Sequence, residues 1–86
     1  MKFKVQVAVR LKRGVLDPQG AAVERALKSH GRRGLASVRI GKLIELEMEG
    51  DSAGEVENLA AAWADQVLAN PVLETFSVTV EPDNAP

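Results

Sequence analysis

The chain contains no cysteine, so neither a disulfide framework nor a thiolate metal site can support its fold. Aromatic residues are almost as scarce. Phe3, Trp63 and Phe76 are the whole set, which disfavours a base-stacking surface or an aromatic cage. A single histidine, His30, excludes any site that needs two imidazoles. No stretch approaches the roughly 20 apolar residues of a membrane span. The N-terminus does not read as a signal peptide, because charge recurs at Lys2, Lys4 and Arg10, and a cytoplasmic location is expected. What remains is an ordinary globular composition, 45% hydrophobic and 27% charged, in 86 residues. That length allows one small domain, expected over residues 1–81, with a frayed tail at 82–86. A chain of this size buries only about 60–65% of its unfolded surface, and self-association is the remaining route to more.

Positive charge is missing from half of the sequence. Residues 44–86 hold ten acids and no base, while residues 1–43 hold all eleven bases against Asp17 and Glu24. Halves this unlike fit a nucleic-acid-binding basic half, or two halves that face each other within one fold or across a dimer. The strand pattern favours the second reading.

Residues 2–12 alternate, with Phe3, Val5, Val7, Val9 and Leu11 on one face and Lys2, Lys4, Gln6, Arg10 and Lys12 on the other. Period two over this length predicts a half-buried strand. After Arg13-Gly14, Asp17 is placed to cap a helix over about residues 18–30, with Pro18 at its first position. Ala22, Val23, Ala26 and Leu27 form its apolar stripe, and Gly31 suits the position beyond its end. A second strand is expected over 36–49, kinked where Gly41 and Lys42 interrupt the row Val38, Ile40, Ile44, Leu46 and Met48. Ser52 and Glu55 make a capping box for a second helix that reaches about residue 69. Its buried stripe is expected to be Val56, Leu59, Ala60, Trp63 and Val67, and Asn70-Pro71 ends it. A last strand over 73–81 turns Phe76, Val78 and Val80 inward.

The order strand, helix, strand, helix, strand predicts an α+β fold, a two-layer α/β sandwich. Its three-stranded sheet has a long kinked middle strand, carries two helices on one face, and is extended by oligomerisation. The arrangement would set Lys4 and Arg10 of the first strand against Glu45, Glu47 and Glu49 of the second.

The residues offer no catalytic apparatus. Ser29, Ser37, Ser52 and Ser77 have only His30 as a candidate base, and His30 stands where it complements a helix dipole. Glu45, Glu47 and Glu49 run along a line rather than converging into a cation cage, so no metal site is expected. The turn from Gly14 to Gly20 enters a helix N-terminus, but it lacks the Lys-Ser or Lys-Thr of a phosphate loop, and Asp17 occupies its positive end. Arg32, Arg33, Arg39 and Lys42 form a basic cluster in sequence, without the neighbouring aromatics that RNA recognition favours. The chain therefore reads as a binding or assembly module.

Three blocks carry a resemblance. Gly14-Val15-Leu16-Asp17-Pro18-Gln19-Gly20, then Val38-Arg39-Ile40-Gly41-Lys42, then Leu68-Ala69-Asn70-Pro71-Val72-Leu73-Glu74 follow one another in the order and at the intervals of the PurS family. The sequence resembles that family, the small subunit of phosphoribosylformylglycinamidine (FGAM) synthase in purine biosynthesis, from Lys4 to about Val80. The turn Gly31-Arg32-Arg33-Gly34 and the acidic tail are not part of the pattern.

The resemblance implies a three-part enzyme that converts formylglycinamide ribonucleotide to the amidine. A glutaminase subunit releases ammonia, and a large synthase subunit uses ATP and magnesium. The small subunit binds no cofactor and contributes no catalytic residue; it bridges the other two, assists ammonia transfer, and acts as a homodimer or dimer of dimers. The expected partner contacts are the turn Gly14, Asp17, Pro18 and Gln19, the bend Arg39, Gly41 and Lys42, and the turn Asn70, Pro71 and Glu74. The competing reading is a small dimeric module that binds RNA or a phosphate ligand through its basic half.

Overall fold

A computed structural model of the chain describes residues 1–31 and 33–84. Strand β1 spans Lys2–Leu11, helix α1 Pro18–Ser29, strand β2 Lys42–Glu49, helix α2 Ala53–Trp63 and strand β3 Glu74–Pro82. Helix α2 continues into one π-helical turn over Ala64–Leu68. The sheet order is β2-β1-β3, with both pairings antiparallel, so the first strand in sequence is the central one in space.

Alternation decides which side of β1 is inside. Phe3, Val5, Val7 and Val9 are almost completely buried, each contributing on the order of 1.5–3 kcal/mol. They meet Val56 and Ala60 of α2 and Ala64 of the π turn, with Met48 and Ala69 closing the cluster. Ser52 starts α2 by accepting the Glu55 amide proton at 3.2 Å, and Glu55 accepts the Asp51 amide proton at 3.4 Å. That is the expected capping box, displaced by one residue on its return bond. Val56, Ala60 and Ala64 recur every four residues, and the π turn then brings Ala69 to the same side after five.

Four expectations need correction. The kink of the second strand falls where expected, but the ladder begins only at Lys42, opposite Val9. Residues 36–41 run without a strand partner, because the side chains of Asp17 and Glu24 take two of their backbone amides. The buried stripe of α2 keeps Val56 and Ala60 but not Leu59, Trp63 or Val67, which stay exposed. Arg10 faces Thr75 rather than a glutamate, whereas Lys2 faces Glu49 and Lys4 stands between Glu47 and Glu81.

The fourth correction concerns α1. Of the two helices expected on one face, α2 lies on the sheet over β1 and β3. Helix α1 buries only Gly20 and stands beyond the end of the sheet. Its limits match expectation: Asp17 caps it, Pro18 opens it, His30 closes it, and Gly31 follows with φ 74°. In the C-terminal tail, Asp83 donates its amide to the Lys2 carbonyl at 2.9 Å; residues 85–86, like Arg32, lie outside the described residues.

Candidate functional site

Beyond Leu11 the chain leaves the sheet and must turn into α1, and this corner gathers the three sequence blocks. Asp17 organises it. One carboxylate oxygen accepts the Gly20 amide proton at 2.9 Å, as an N-cap should. The other accepts the Ile40 amide proton at 2.9 Å and so reaches a segment 23 residues away. The Ile40 amide first, and the Gly20 amide second, hold the Asp17 carboxyl below its ordinary value.

Two turns further along α1, Glu24 accepts the Val38 amide proton at 3.1 Å and an ion pair from Lys28 at 3.2 Å. The Lys28 ammonium first, and the Val38 amide second, lower its pKa as well. Arg39 points the opposite way, donating to the carbonyls of Leu11 and Lys12 at 2.8 and 3.2 Å. Segment 38–40 is thus fastened to α1 on alternate amides and to the end of β1 through one guanidinium.

Gly41 then passes so close to β1 that a Cβ there would strike the Val9 carbonyl oxygen. The absence of a side chain is what lets the backbone swing from the corner into β2. The third block closes the corner from the β3 side. Asn70 accepts the amide protons of Leu73 and Glu74 on its carbonyl, at 3.1 and 2.7 Å, and that of Val72 on its side chain at 3.0 Å. The Glu74 carboxylate accepts the Asn70 amide proton at 2.7 Å, and the Leu73 carbonyl receives the Lys12 amide at 2.8 Å.

The result is an open groove of about 380 Å³ in which Asp17, Pro18, Gln19, Gly41, Lys42 and Glu74 come together over Val9, Leu11 and Ile40. Arg39, Gly41 and Lys42 also border a neighbouring groove of about 340 Å³ with Arg10. Pro71 and Glu74 border a third, of about 300 Å³, with Lys12 and Asp65. Asn70 shapes its turn from within, and Gly14 lines none of the three. Arg10, Lys12, Glu24 and Asp65 were not anticipated for this corner. Glu24 carries no distinguishing signal, since a glutamate four residues before a lysine is an ordinary helix-surface pair.

Chemically, the corner suits contact rather than catalysis. Asp17 is engaged by two amides, and the other charged residues of its groove, Lys42 and Glu74, stand beside an apolar floor that is open to solvent. No group of three or more residues able to hold a metal occurs among the described residues.

Residues 4–82 match the family model described as PurS: phosphoribosylformylglycinamidine (FGAM) synthase. The chain belongs to the PurS family. The PurS subunit of phosphoribosylformylglycinamidine synthase from Bacillus subtilis is 43% identical over 79 residues, covering 92% of this chain and 93% of that one. The structure of Thermus thermophilus PurS superposes with a TM-score of 0.85 at 35% identity, covering 95% and 98% of the two chains. A chain in the structure of PurLQS from Thermotoga maritima superposes with a TM-score of 0.85 at 28% identity, covering 94% and 99%. The PurS likeness therefore spans the sheet, both helices and all three blocks of the corner. PurS is a subunit of FGAM synthase, a ligase complex.

Proposed function

We propose that this chain is the small subunit of an FGAM synthase complex, bridging the glutaminase subunit and the large synthase subunit and assisting ammonia transfer between them. The observation that carries the proposal is the end-to-end likeness to a chain of the PurLQS assembly. In this reading ATP and magnesium serve the large subunit, the complex is cytoplasmic, and residues 1–81 act as one PurS-like domain. The chain works as a homodimer or dimer of dimers.

The corner grooves supply the docking points, through Asp17, Pro18, Gln19, Arg39, Gly41, Lys42, Pro71 and Glu74, with Asn70 shaping the turn that presents Pro71 and Gly14 setting the approach. Ammonia handed between active sites must be kept from water and from protonation, which calls for a closed and specific junction. A rigid corner with mixed charge over an apolar floor meets that need.

The RNA- or phosphate-binding alternative is not favoured, because the likeness to PurS runs over residues 4–82; four of the eleven bases are also set against partners within the fold. Lys2 and Lys4 face glutamates across the sheet, Lys28 pairs with Glu24, and Arg39 holds two carbonyls.

Reconstitution tests the proposal. Product formation is measured with the glutaminase and synthase subunits, with and without this chain, from glutamine and from ammonium salt in parallel. Omission should abolish the glutamine-supported rate and spare the ammonia-supported one. Lys42→Glu should lower the glutamine-supported rate about 10-fold, the effect of a lost charged interface contact. Equal rates with and without the chain, from both nitrogen sources, would refute it.

A further inference from the structure

We propose that the groove at the corner end of the outer sheet face binds a carboxylate side chain from an acidic peptide segment of a partner subunit, held between Arg10 and Arg39. The proposal rests on the bridging role above and names the chemistry that one partner must present.

Strand register decides which charges share the face away from α2. The odd-numbered residues of β1 are buried, so the even-numbered ones line that outer face. At one end of it charge is balanced, with Lys2 opposite Glu49 and Lys4 between Glu47 and Glu81. At the corner end it is not. Arg10 lies opposite Thr75, Ala8 lies between Leu43 and Ser77, and the first acid along β2 on this face is Glu45, level with Gln6. Among the described residues, no hydrogen bond or ion pair engages the Arg10 guanidinium.

The groove beside Arg10, of about 340 Å³, is bordered by Arg39 and Leu43 and has Ala8 and Gly41 in its lining. Ala8 offers only a methyl group, and at Gly41 a side chain is excluded by the Val9 carbonyl oxygen, so the space between the two arginines stays open. Arg39 is already ordered. Its bonds to the Leu11 and Lys12 carbonyls both leave from Nη2, which keeps the donors on Nε and Nη1 available to a ligand. A planar guanidinium held in one orientation suits a carboxylate that accepts two parallel hydrogen bonds. Leu43, 55% exposed, gives the aliphatic stem of the acidic side chain a surface to cover. Lys42, paired with the buried Val9, adds positive charge from the other face of the strand. A nucleotide fits this groove less well. Phe3 is buried on the inward face, Phe76 pairs with Val9 on that same face, and Trp63 lies on α2, so no ring is placed to stack a base.

NMR titration of the labelled chain alone reads the groove. Acetyl-hexaglutamate amide should move the Arg10 and Arg39 Nε–H resonances together and saturably, and acetyl-hexaglutamine amide should move neither. Arg10→Gln should weaken the acidic peptide at least about 5-fold. Surface plasmon resonance against the glutaminase and synthase subunits, each immobilised separately, then reads the partner. Arg10→Glu should raise the dissociation constant for one of them by about 30-fold or more, and Arg10→Gln serves if the glutamate disturbs the strand. Arg10→Lys, which keeps the charge but loses the paired donors, should fall between. Arg13→Glu, the same change of charge outside the groove, should alter neither affinity. No paired shift, tighter binding of hexauridylate or inorganic phosphate than of the peptide, or Arg10 variants that bind both subunits as the wild type does would overturn the proposal. A wild-type chain that binds neither subunit would refute the bridging role itself, a failure that titration of the chain alone does not share.

Discussion

Asp17 shows how much a single side chain can settle. It caps α1 and, through Ile40, fixes the angle between that helix and the strand that follows. Asp17→Ala should therefore loosen the corner without opening the sheet. The expected signature is at least about 10-fold faster hydrogen exchange at the Ile40 amide, with the core amides of β1 unchanged. Acid should act at the same place. The carboxyls of Asp17 and Glu24 lie below their ordinary values in the folded chain, so their contribution is complete above the unfolded values, near about pH 4. It is lost as pH falls through the lower folded values. The Val38 and Ile40 amides should lose protection in that window, as an NMR titration would record. Gly41→Ala is the harsher change, because the new methyl meets backbone rather than a movable side chain. It should cost about 1–3 kcal/mol in urea unfolding.

Among the elements, β1 and the start of α1 are legible in the sequence because each rests on local rules: period two, an aspartate cap and a proline in the first turn. The buried side of α2 is legible only in Val56 and Ala60, for a physical reason. Ranking by hydrophobic bulk selects Leu59, Trp63 and Val67, yet the rows that meet the sheet are Val56 with the alanines Ala60 and Ala64. Small residues there let the helix lie close to β1. Val56→Ala should accordingly cost about 2 kcal/mol by denaturant unfolding, and Ser52→Ala, which removes only a cap, about 1 kcal/mol. The limit of β2 is hidden for another reason. Alternation cannot distinguish a paired strand from an extended segment whose amides are taken by Asp17 and Glu24, 23 and 14 residues away. The corner was readable as three separate turns, because each contains a residue with a special backbone role. That six of its residues share one groove depends on the sheet register.

For the whole molecule, the segregation of charge along the sequence becomes a pattern in space. The rows of β1 and β2 meet as Lys2 with Glu49 and Lys4 with Glu47, on the face away from α2. At the other end, Arg10, Arg39 and Lys42 border one groove with no acid among its lining residues. An end-to-end polarity of this kind steers a docking partner more than it tightens the final complex. Added salt should therefore slow association with the other subunits more than it speeds dissociation, which stopped-flow measurements would resolve.

The central position of β1 has a further consequence, for synthesis rather than function. The strand that holds the core leaves the ribosome before either of its neighbours, both of which are encoded downstream of it. Its second edge closes only when residues 74–82 have been released. Non-local pairing of this kind delays folding until β3 has been released. A nascent chain halted at Gly50 would expose the valine row of β1, and that is the stage at which a chaperone would find it.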